Sequence, residues 1–150
     1  MTRKQIHRFL AACVCVMAGA MPAHAQPPSN APFYLEAADC TAALKARVVE
    51  RQAQPRSPAR DKAILSDTEL GFAFIGVAYK KGLRNPEADQ MLQAAEQRWR
   101  TLSKADKLSR QAGCTTRGQQ LMRDVSSVER FVIRNRAKAR VEKLLEKEAK

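Results

Sequence analysis

Imidazoles and thiols carry much of the nucleophilic, redox and metal chemistry open to side chains, and this chain has only six of them: His7, His24, Cys13, Cys15, Cys40 and Cys114. Their positions decide which chemistry survives. Arg3, Lys4 and Arg8 precede an apolar run from Phe9 to Met21, and Ala23-His24-Ala25 follows as a small-x-small cleavage pattern. That order is the anatomy of an export signal. Cleavage after Ala25 removes both histidines, Cys13 and Cys15, and leaves a chain that begins at Gln26 with Cys40 and Cys114 as its only thiols. Ser-His-Asp and Cys-His catalysis, His-bearing zinc sites and haem attachment through Cys-x-x-Cys-His are thereby excluded. Cys40 and Cys114 do not form a Cys-x-x-Cys pair, so redox catalysis is not expected either.

The remaining thiols have a simpler use. In an oxidising compartment two cysteines join, and a Cys40–Cys114 disulfide closing so long a loop contributes about 4 kcal/mol through loop-closure entropy. The carboxylates offer no patterned cluster for a metal. Asp67 and Glu69 are close in sequence, but Ser66-Asp67-Thr68-Glu69 has the Ser-x-x-Glu form of a capping box, which assigns both to the first turn of a helix. No enzyme activity, metal or cofactor is expected from these residues.

Charge supplies the one candidate site. Without Arg3, Lys4 and Arg8 the chain keeps 24 basic against 15 acidic residues, a net charge of +9. An exported basic protein meets lipid head groups, lipopolysaccharide phosphates or acidic proteins, and nucleic acid is not an expected partner. The basic residues are densest in Arg134-Asn135-Arg136-Ala137-Lys138-Ala139-Arg140. At helical spacing Arg136 and Arg140 share one face, and Arg134 and Lys138 share another. These four are the candidate partner-binding residues. The competing expectation is a solvated face tied to Glu142 and Glu146.

The elements that must position these groups read as helices. Gln26 to Pro32 is expected to be a disordered spacer, because its three prolines deny it regular hydrogen bonding. One helix is expected over Leu35 to Gln52, with Cys40, Leu44 and Val48 in line. A second starts at Ser66, or earlier at Ser57-Pro58, and stops at Lys80-Lys81-Gly82. Phe72 and Ile75 broaden its apolar face and should make it the most buried helix. Gly71 and Gly76 inside it suggest close helix packing, with a groove for a ligand or partner helix as the other use. Asn85-Pro86-Glu87 starts a third, whose inward stripe is Leu92, Ala95, Trp99 and Leu102. A kink near Ser103 precedes Lys104 to Ala112, and Gly113 stops that segment. Thr115 or Thr116 then caps a last helix running nearly to Lys150, with a seam of Leu121, Val125, Val128 and Val132 that weakens after Asn135. No alternating strand pattern competes. The expected fold is an all-α bundle of about four helices over residues 33–150, with one long-range disulfide and a basic C-terminal helix.

Asp67-Thr68-Glu69-Leu70, then Leu92-Gln93-Ala94-Ala95-Glu96-Gln97-Arg98-Trp99, then Cys114 form an ordering similar to the small exported helical domains called lysozyme-inhibitor-like. The likeness spans about residues 67 to 114. Gly71 stands where that pattern has Asn, and the Trp-to-Cys spacing is wider. The resemblance implies a proteinaceous inhibitor of an envelope-degrading enzyme such as lysozyme, with no residue role carried over.

Two functional expectations follow. The first is a non-enzymatic binding module of the bacterial cell envelope, periplasmic or secreted, whose basic C-terminal helix meets an anionic partner or another periplasmic protein. The second is the inhibitor. The apolar run of Phe9 to Met21 is too short for the roughly 20 residues a membrane span requires. Leu10-Ala11-Ala12-Cys13 leaves lipoprotein anchoring at Cys13 as the lesser alternative, and the oligomeric state is open.

Overall fold

The computed structural model describes residues 30–148. The expected export signal, the expected lipoprotein box, both histidines and most of the expected spacer lie outside that range. Five α-helices make up the described chain, and no strand occurs among its residues: α1 (Ala31–Gln52), α2 (Pro58–Lys80), α3 (Glu87–Thr101), α4 (Lys104–Asp124) and α5 (Ser127–Glu148). The all-α expectation holds, with five helices rather than about four.

Local chemistry sets each boundary. α1 begins inside the expected spacer, because Pro32 falls in its first turn, where the missing N–H costs nothing. α2 starts at the earlier of its two expected points. Ser57 is extended, its Oγ accepts from the Arg60 N–H at 3.2 Å, and Pro58 occupies the first turn. Its end closes as expected: the Gly82 N–H bonds Tyr79 O at 3.1 Å and the Leu83 N–H bonds Ala78 O at 3.0 Å, with Gly82 at φ +111°. That double bond is a Schellman cap, and it requires the left-handed residue that glycine supplies. In α3 the first helical residue is Glu87, and Asn85 provides no cap; its Oδ1 instead accepts from the Tyr79 hydroxyl.

The second half departs further from expectation. Ser103 caps α4 by accepting from the Asp106 N–H at 3.1 Å. Gly113 does not stop this helix but lies within it, and Thr115 and Thr116 bond back to the Gln111 and Ala112 carbonyls instead of capping a new helix. The true break is at Val125-Ser126. There the Ser126 Oγ accepts from the Glu129 N–H at 3.2 Å while Glu129 Oε2 accepts from the Ser126 N–H at 2.8 Å, a reciprocal capping box.

α1 and α2 form a central pair. α3 packs on α1, α5 packs on α2, and α4 lies across both members of the pair. Leu44, Ile64 and Phe74 are the largest fully buried side chains. Each contributes roughly 1.5–3 kcal/mol by leaving water. Small residues allow the close approach: Ala43, Ala73 and Ala78 are buried in the same core. Gly118 of α4 is the tightest contact, since a Cβ there would stand 3.1 Å from Leu70 Cβ and 3.2 Å from Phe74 Cε2. Cys40 and Cys114 form the disulfide expected from the sequence and join α1 to α4, with Cα atoms 5.2 Å apart. Among the described residues no helix is long and apolar enough to cross a membrane.

Candidate functional site

α5 carries the four candidate cations, and the way it is anchored determines what they face. It runs antiparallel to α2. Lys80, at the end of α2, pairs with Glu129 at the start of α5 at 2.8 Å, and Arg60, at the start of α2, pairs with Glu148 at the end of α5 at 2.6 Å. Arg60 is buried and also donates to the Gln52 and Gln54 carbonyls, so it closes the C-terminal end of α1 and clamps α5 at once. The Lys80 ammonium, then the Ser126 hydroxyl and N–H, hold the Glu129 carboxyl down at about 2. Bonds from Gln52 and then Arg60 likewise lower that of Glu148.

Between these clamps Ile133, Ala137 and Val141 are the buried residues of α5. The expected seam is therefore corrected. Leu121 and Val125 are buried, but they belong to α4 and its cap, whereas Val128 is 71% and Val132 44% exposed. The break at Ser126 resets the helical phase, so a seam counted across it points the wrong way. Nor does the seam weaken after Asn135, because Val141 joins Val48 and Ile64 in a small core of its own, covered by Leu144 and Leu145.

Arg134, Arg136, Lys138 and Arg140 are all exposed. None of them makes an ion pair or a side-chain hydrogen bond among the described residues, including with Glu142 or Glu146. The two pairs sit on different flanks of the helix: Arg136 is about 200° around the axis from Arg134, and Arg140 the same from Lys138. They do not form one patch.

The groove that Gly76 offered as its other use lies beside them. Between α2 and α5 lies a trough of about 520 Å³ lined by Phe72, Ile75, Gly76, Val128, Val132 and Arg136. Phe72 and Ile75, expected to broaden the apolar face of α2, are half-buried. Gly76 is exposed on the floor, and a Cβ there would meet only the Ile133 side chain, at 3.9 Å. Neither Gly76 nor Gly71, whose added Cβ would meet nothing within 4 Å, is required for close packing. Phe131, 64% exposed, extends the apolar surface over the outer side of α5.

The other candidate groups resolve into structure. Asp67 is not in a first helical turn. It lies in the interior of α2, buried, and accepts from Arg47 Nε at 2.9 Å and Arg51 Nε at 2.7 Å. Arg47 also donates to Thr115 Oγ1 at 2.9 Å, so one carboxylate ties α1, α2 and, through Arg47, α4. Glu69, two residues on, faces away from Asp67 on the helix, and the two cannot work as an acid/base pair. Trp99 is half-buried against the core with Lys107 Nζ 5.9 Å from its ring centroid. Beside it Arg98 and Arg110 both bond Asp39, at 2.6 and 3.0 Å. No group of three or more His, Cys, Asp or Glu among the described residues is placed to hold a metal ion. Compared with protein-family models, curated proteins and solved structures, the chain matches none.

Proposed function

We propose that this chain is a non-enzymatic interaction module of the bacterial cell envelope, exported through its first 25 residues, that binds an anionic partner through the outer surface of α5. One observation carries this: Arg134, Arg136, Lys138 and Arg140 are exposed, unpaired among the described residues and gathered within seven residues of one helix, whereas other unpaired cations such as Lys62, Arg100 and Arg123 are scattered, and Arg47, Arg51, Arg60, Arg98, Arg110 and Arg117 are each held by a carboxylate. Cations that bridge helices are spent on the fold. The four on α5 hold nothing inside the protein, and their field is available to a partner. Apolar Val128 and Phe131 beside them supply the contact area that charge alone lacks.

The test is binding of the oxidised protein to immobilised envelope extract at low and high salt, for the parent and for Arg134→Glu/Arg136→Glu/Lys138→Glu/Arg140→Glu. The Debye length shrinks from about 10 Å at 0.1 M to about 3 Å at 1 M, so exposed charge contacts weaken together. The parent should lose binding with salt, and the variant should bind at least tenfold more weakly with a flatter salt dependence. Equal binding by the two proteins would reject the proposal. The inhibitor alternative is read in parallel by stoichiometric inhibition of a muramidase that persists at high salt.

A further inference from the structure

We infer that the trough between α2 and α5 receives an amphipathic α-helix of a partner protein, with apolar residues seated against Phe72, Ile75 and Val132 and an acidic residue against Arg136. This rests on the proposal that α5 is the working surface toward an anionic partner, and it names the partner's form.

Three features select that occupant. Val128, Val132 and Arg136 follow one another at intervals of four and line the α5 side of the trough. The row is apolar for its first two members and cationic for its last, so a partner lying along it must change from apolar to acidic in the same direction. From Val128 to Arg136 is eight residues, about 12 Å of helix axis, which matches the two turns over which a docked helix places apolar anchors at i, i+4 and i+7. The trough is also concave, with an exposed glycine as its floor and about 520 Å³ of space. A bilayer surface would rest on Val128 and Phe131 and leave that floor empty, whereas a helix can fill it. A second copy of this chain is disfavoured by charge, because each copy brings the same cationic row to a protein already strongly basic. Glu129 lines the trough as well, but Lys80 supplies its countercharge and the Ser126 N–H holds it, which lessens its repulsion of an acidic partner.

The test uses the full chain, expressed with its own leader and purified oxidised, against fluorescent peptides of about five helical turns. Two acidic peptides carry leucines at i, i+4 and i+7 with glutamates in the following or the preceding turns, covering both chain directions. One control replaces the glutamates by lysines and another breaks the helix with proline. Anisotropy should show micromolar binding of at least one acidic peptide, and none of either control. Gly76→Leu, which fills the floor, and Val132→Asp should each weaken binding at least tenfold, and so should Arg136→Glu. Circular dichroism of each variant separates a filled trough from an unfolded protein, and two trough variants guard against either one failing to fold. No acidic peptide binding below 1 mM, equal binding of the proline peptide, or indifference to Gly76→Leu and Val132→Asp each overturns the inference. Co-sedimentation with phosphatidylglycerol vesicles that is lost in Gly76→Leu overturns it in favour of lipid. If the trough variants are silent while the arginine variant still weakens binding to envelope extract, the inference fails and the proposed function stands. If the arginine variant is silent throughout, both fail.

Discussion

Replacing Gly71 and Gly118 by alanine, one at a time, adds the same methyl group to two interior helical positions and should move stability in opposite directions. Both substitutions remove the flexibility of glycine from a helix, a gain of about 0.8–1 kcal/mol. At Gly71 the new Cβ has no neighbour within 4 Å, so that gain is kept. At Gly118 it would lie 3.1 Å from Leu70 Cβ and 3.2 Å from Phe74 Cε2. Leu70 Cβ is fixed to the backbone of α2 and cannot swing aside, and Phe74 is fully buried. α4 must therefore move off α2, and overpacking of this kind costs about 1–3 kcal/mol. The propensity gain is common to both variants, so their difference isolates the packing cost. At about 4 °C per kcal/mol for a domain of this size, Gly71→Ala should raise Tm by about 3–4 °C, and Gly118→Ala should melt about 4–12 °C below it. The assay is thermal melting by far-ultraviolet circular dichroism with the disulfide intact, checked by urea midpoints at constant m. Equal stabilisation by the two alanines would refute the close seating of α4 on α2.

Two further perturbations test the charged ties. Asp67→Asn leaves Arg47 and Arg51 without a countercharge beside a buried position; with those side chains 16% and 30% exposed, water offsets part of the loss, and the expected cost is about 2–4 kcal/mol in urea unfolding. Glu69→Gln should change little, and parity of the two variants would mean that the Asp67 cluster ties nothing. Glu129 is held at about 2, below its ordinary 4.5, so its contribution to stability is present above pH 4.5 and fades as pH falls toward 2. The Tm difference between the parent and Glu129→Gln should accordingly shrink across that interval, and a constant difference would rule out the Lys80–Glu129 clamp.

Much of the fold was legible because it depends on local signals. The Ser57-Pro58 start, the Gly82 stop and the absence of alternating strands are each decided within a few residues, and the disulfide follows from having two cysteines. Ser-x-x-Glu shows where local signals fail. The motif occurs at Ser66–Glu69 and at Ser126–Glu129, and only the second is a capping box. The first follows an uninterrupted helix-compatible run from Pro58, so nothing frees the backbone N–H groups that a cap would satisfy. Asp67 follows from that motif no better, since its arginine partners stand 16 and 20 residues away on another helix. No local pattern signals a pairing at that distance.

The candidate surface was half visible for a related reason. The cations were found by composition, but the trough beside them depends on the phase of α5, which depends in turn on where the helix begins. Counted from the Ser126 cap, Ile133, Ala137 and Val141 form an unbroken apolar row at intervals of four, continued at Leu144 and Leu145. A row that stays apolar over several turns can be buried along its whole length. Val128, Val132, Arg136 and Arg140 form the neighbouring row, which changes from aliphatic to guanidinium halfway along. Burying that row in the protein's own core would strand two arginines without partners, at a cost that the exposed valines cannot offset. The sequence thus contains the reason α5 packs on one row and presents the other, and a helix start placed at Thr115 hides it.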